Sequence, residues 1–143
     1  MKKKLLIFHP TIAPYRIDFF NSLYGAFETR VCLTFGRENT FDYDAIYNQL
    51  LFKPYFLATG FCRQIDEFNP DIVIVSEFGK ITIEVLLYRW LKQSKYKVIS
   101  ICDDSYNMLA DRNDFSRIHR LARKLAVPSL DDLILVEPLS RDW

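Results

Sequence analysis

The chain has 143 residues, half of them hydrophobic and 15% aromatic, with a formal net charge of +1. Those values exclude a disordered polar chain and remove any global electrostatic case for nucleic-acid binding. The length fits one domain, residues 1–143, with a sizeable core. No apolar run approaches the roughly 18 residues of a membrane-spanning helix.

Met1–Phe8 has the basic start of a signal peptide, but His9 and Pro10 cut its apolar run short and no small-residue cleavage site follows. Leu5–Phe8 is therefore read as the first strand. Pro10 stiffens the loop beyond it, and Pro14 suits the first position of a helix, where its missing N–H costs nothing. Ile17, Phe20, Tyr24 and Phe27 then recur at helical spacing with Leu23 beside them, which predicts one face packed on a sheet.

Arg30–Phe35 is β-branched and apolar and ends at Gly36, a second strand. Residues 37–50 read as a loop with a short helix near Asp44–Leu50. Leu51–Leu57 is a third strand that Pro54 confines to an edge. Gly60 opens a helix with Phe61, Ile65 and Phe68 on one face, and Asn69-Pro70 stops it.

Asp71–Ser76 is an unbroken apolar run, the mark of a parallel strand covered on both sides. A helix through about Gln93 follows, with Ile83, Leu86, Leu87, Trp90 and Leu91 predicted inward. Lys97–Cys102 is the next strand, with Asp103-Asp104-Ser105 at its carboxyl end. A helix near Asp114–Lys124 places Phe115, Ile118, Leu121, Ala122 and Leu125 inward, Leu133–Val136 is the last strand, and Pro138 starts another helical turn. Strands and helices alternate throughout. The expected fold is α/β: a Rossmann-like, doubly wound parallel sheet of about six strands with helices on both faces. Three widely separated cysteines, Cys32, Cys62 and Cys102, read as reduced core thiols of a cytoplasmic protein.

Several landmarks, taken in order, resemble the amino-terminal domain of GT-B fold glycosyltransferases, especially the retaining family four. They are Pro14-Tyr15-Arg16 with Phe19-Phe20 and Leu23, then Pro70–Val75 with Glu77, then the strand ending at Asp103, then Leu133–Pro138. The resemblance implies the acceptor-binding half of an enzyme of polysaccharide biosynthesis. That enzyme moves sugar from a nucleotide-sugar donor to a glycan or lipid-linked acceptor. It implies a carboxyl-terminal donor-binding domain, absent from these 143 residues, so that this chain by itself would lack activity. No cofactor is expected in the present domain; the nucleotide sugar belongs to the missing one. One departure is the lack of glycine between His9 and Arg16, where many members bring backbone close to donor phosphates.

Arg16 falls in a helix's first turn, against the macrodipole, and such a charge often has a compensating partner. It reads either as a grip on an anionic substrate or as an ion pair with Glu77 or Asp103. His9, at the carboxyl end of the first strand, is either a substrate contact able to take a proton near neutral pH or a loop histidine satisfied by backbone. By resemblance Asp103 stands near the transferred sugar or the acceptor hydroxyl, as the catalytic carboxylate, with Asp104 on substrate; either aspartate also suits a plain turn. Glu77 and Lys80 line the same cleft or pair at the surface.

No metal site is expected, since His9 and His119 are isolated. The basic run Arg112–Lys124 suggests either peripheral contact with the inner membrane face or a solvated basic helix. Tyr15, Phe19, Phe20 and Trp90 are assigned to the core; exposed aromatics near Phe41 and Tyr43 could stack on sugar rings, but nothing in the sequence establishes that role. The rival reading is a non-catalytic α/β binding module or partner subunit. A nicotinamide site is disfavoured because Gly-x-Gly-x-x-Gly is missing after the first strand.

Overall fold

The computed structural model describes residues 1–34, 42–57, 60–76, 79–102, 121 and 124–135. Six strands form one parallel sheet in the order β3-β2-β1-β4-β5-β6. They are β1 (Lys4–His9), β2 (Glu28–Leu33), β3 (Tyr55–Phe56), β4 (Ile72–Ser76), β5 (Lys97–Cys102) and β6 (Asp132–Leu135). Between them run α1 (Ile17–Ala26), α2 (Tyr43–Tyr47), α3 (Phe61–Phe68) and α4 (Lys80–Lys92), with 3-10 turns at Pro14–Arg16 and Val127–Ser129. The strand order turns back at β1, the topology expected of a doubly wound sheet. The chain divides into two compact units, Met1–Val73 and Ile74–Trp143.

In the first unit, β1 is the buried spine. Leu5, Leu6, Ile7 and Phe8 are each at most 1% exposed, so both faces of the strand are covered, which is why its sequence does not alternate. Successive side chains point to opposite faces. Phe8 meets Phe61 of α3 edge to face, at 6.4 Å between ring centres, while His9 meets Phe20 of α1 at 5.4 Å. Helices α1 and α3 therefore cover opposite faces of β1. Pairing with β2 runs from Lys4 opposite Glu28 to His9 opposite Leu33. Asp71 fixes the start of β1: its carboxylate accepts from Lys4 N at 2.8 Å, and its N–H donates to Lys4 O at 2.9 Å.

Three boundaries differ from the sequence expectation. Helix α1 stops at Ala26, and Phe27 is already extended, so Phe27 is not part of the helical stripe and Tyr24 is 39% exposed. Strand β2 begins at Glu28 rather than Arg30, because backbone pairing with β1 extends over polar residues that the apolar pattern does not mark. Only Tyr55 and Phe56 of the Leu51–Leu57 run pair, at the sheet edge and directly after Pro54. The short helix near residue 44 is α2, capped by the Asp42 carboxylate accepting from Ala45 N. Helix α3 matches its expected span; Gly60 (φ 86°) precedes it, and Asn69 (φ 47°) ends it in the left-handed region.

In the second unit, β5 pairs β6 in parallel from Ile99 opposite Asp132 to Cys102 opposite Leu135. Helix α4 turns a different face inward from the one expected. Thr82, Val85 and Leu86 are buried, whereas Leu87 (53%), Trp90 (75%) and Leu91 (70%) are exposed. Leu121 and Leu125, also expected inward, are exposed and line an apolar groove of about 350 Å³ with Ile83, Leu86 and Leu87. Asp131 ties β6 to β5: its carboxylate accepts from Val98 N at 2.8 Å and from Arg89, which also donates to Ser129 O. The rest of the Asp114–Lys124 segment, apart from Leu121 and Lys124, and the Pro138 turn lie outside the described residues.

Cys32 and Cys102 are buried in β2 and β5, Cys62 is half-buried, and none of the three is in a disulfide. No described helix is long and apolar enough to cross a membrane.

Candidate functional site

The site is built from the exit of β1. Thr34 N donates to His9 O at 2.9 Å, holding the end of β1 against the segment that follows β2. Ile12, wholly buried, anchors the loop from below, and Ala13 is extended (φ −76°, ψ 151°), the conformation that a following proline imposes. Pro14 then begins the 3-10 turn, closed by Arg16 N donating to Ala13 O at 2.9 Å. Strand, stiffened loop and turn thus fix His9, Tyr15 and Arg16 on one short stretch of chain.

His9 is 6% exposed. Its Nδ1–H donates to Thr11 O, which fixes the tautomer and leaves Nε2 as a buried lone pair with no hydrogen-bond donor among the described residues. Burial, opposed in part by the Thr11 bond and reinforced by the positive charge of Arg16, lowers its pKa to about 4. The imidazole is neutral at pH 7, so His9 does not take a proton near neutrality. It is an acceptor and a positioning group there.

Arg16 is 9% exposed, a buried cation at the head of a helix, with its guanidinium 5.9 Å from the Tyr15 ring centre. Tyr15 itself is 78% exposed. The sequence reading put it in the core with Phe20; the 3-10 turn instead sends Arg16 and Ile17 inward and Tyr15 outward. An exposed ring over a buried cation is a flat platform open to solvent. Sequence alone missed it because a single aromatic beside an apolar stripe carries no mark of which side it takes. Tyr43, expected at the surface, is 4% exposed, so it is a core ring and no platform.

His9 and Arg16 are thus brought together in the first unit. Lys80 opens α4 in the second unit, exposed, with its Nζ 3.6 Å from Glu84 Oε1 one helical turn on. Glu77, Asp103 and Asp104 lie outside the described residues, as do Phe41 and His119. Among the described residues no three histidine, cysteine or carboxylate side chains gather as a metal site.

Compared with known proteins, the sequence matches no family model and no curated relative.

Proposed function

We propose that this chain is the acceptor-binding half of a retaining glycosyltransferase that moves sugar from a nucleotide-sugar donor to a glycan or lipid-linked acceptor. The observation that carries the reading is the exit of β1, where exposed Tyr15 lies over buried Arg16 and buried His9 ends the strand at which the sheet order turns back. In open α/β sheets ligands bind beyond the carboxyl ends of strands at such a point. In this reading Tyr15 stacks on the acceptor, Arg16 supplies positive charge beneath it, and His9 holds the loop that carries both. The family resemblance, and not the described residues, assigns the acceptor hydroxyl to Asp103 and further substrate contacts to Glu77, Lys80 and Asp104. In this reading the donor nucleotide is held by a separate donor-binding domain and not by the exit of β1.

Isothermal titration calorimetry of the chain against oligosaccharides and lipid-linked saccharides, and separately against nucleotide sugars, tests the proposal. The expected result is saccharide binding weakened about tenfold by Tyr15→Ala, the order expected for losing one aromatic contact, and no nucleotide-sugar binding. Failure of every saccharide to bind would leave the reading as a non-catalytic module.

A further inference from the structure

A recess of the first unit lies at the amino-terminal end of β2, the opposite strand end from the one where β1 places His9. It encloses about 490 Å³ and is lined by Lys2, Tyr24, Glu28, Arg30, Tyr55 and Phe68, together with Phe27 and Thr29. Arg30 is one of its two cations. The guanidinium lies over two rings, 5.1 Å from the Tyr55 centre and 4.5 Å from the Phe68 centre. Its NH1 donates to the neutral Gln64 Oε1 at 3.1 Å.

A half-buried arginine normally meets a carboxylate, because a charge taken from water is costly unless it is paired. Among the described residues Arg30 has none. Glu28, the carboxylate in the lining, sits 4.0 Å from Lys4 Nζ instead. Among the described residues Lys2, the other cation of the recess, is engaged by Gly25 O alone. Among the described residues its other N–H groups, part of the fork that grips oxyanions in a bidentate fashion, have no acceptor. Tyr24 and Tyr55, 39% and 51% exposed, wall the space beside it. The volume falls in the range of small-molecule sites.

We propose that this recess binds a small molecule bearing an oxyanion, phosphate or carboxylate, on a flat apolar body. Arg30 grips the oxyanion with help from Lys2, and the body lies against Tyr24 and Tyr55. This inference does not depend on the glycosyltransferase reading.

The test is a titration of the ¹⁵N-labelled chain with phenyl phosphate, benzoate, inorganic phosphate and benzyl alcohol. The expected result is that phenyl phosphate or benzoate shifts the amides of Glu28, Thr29, Arg30 and Tyr55. Whichever binds more tightly names the oxyanion. Inorganic phosphate should bind about tenfold more weakly for want of ring contact, and benzyl alcohol likewise for want of charge. Arg30→Lys, which keeps the charge and loses the fork, should weaken binding about tenfold. Lys2→Ala, at the exposed amino terminus and harmless to the core, should weaken it about threefold. Equal binding of benzyl alcohol, or unmoved amides with both aromatic anions, would overturn the proposal. So would Lys2→Ala and a folded Arg30→Lys both binding like the parent chain.

Discussion

His9 shows how a residue's chemistry is set by what surrounds it. An unfolded histidine protonates near pH 6.5, whereas His9 in the folded chain does so at about 4. Above pH 6.5 both states are neutral and His9 adds nothing to the pH dependence. Between 6.5 and 4 only the unfolded chain takes up the proton, so stability falls as pH falls, by up to about 3 kcal/mol in total. Chemical denaturation at pH 7 and pH 4.5 should show this loss in the parent chain and a clearly smaller one in His9→Asn, whose amide can still donate to Thr11 O. Removing the neighbouring charge with Arg16→Gln should raise the His9 midpoint, read from imidazole NMR, yet leave it below 6.5, because burial is the larger cause. The position of His9 at a strand exit was legible in the sequence; its neutrality was not, since that depends on Phe20 and Arg16 closing over it.

At the scale of elements, legibility followed how constrained the pattern was. The unbroken runs of β1, β4 and β5 have one reading, and all three strands formed within a residue or two of their expected limits. Helix α4 does not have one reading. Ile83, Val85, Leu86, Leu87, Trp90 and Leu91 occupy more than half its circumference, so periodicity cannot choose which stripe faces inward. The side is decided by the rest of the unit, including Tyr96, whose buried hydroxyl donates to Val85 O at 3.2 Å. Accordingly Val85→Ala should cost about 2 kcal/mol in denaturant melts, while Leu87→Ala should stay within about 0.5 kcal/mol, as surface changes do. Asp131 is a comparable fixed point. Partial burial works against its charge, but the Val98 N–H and the Arg89 guanidinium outweigh that and keep its carboxyl below the ordinary range. Asp131→Ala should destabilise the chain by about 2 kcal/mol at pH 7, since it strips a charged acceptor from two donors. That contribution persists above the ordinary carboxylate pKa and is lost as pH falls through the lowered one.

For the molecule as a whole, the alternation of strands and helices foretold a six-stranded parallel sheet, and the strand order β3-β2-β1-β4-β5-β6 is a doubly wound one. Less of the candidate site could be read in advance. His9 and Arg16 were found because prolines frame their loop, but the outward turn of Tyr15 depends on the 3-10 geometry that sends Arg16 inward. Residue-resolved NMR titration of the chain with an oligosaccharide tests the proposal that saccharide acceptors are received at this exit of β1. The ring signals of Tyr15 and the imidazole signals of His9 should move together and saturate, with the same midpoint as binding by calorimetry. Saccharide binding that leaves Tyr15 and His9 unmoved would contradict it.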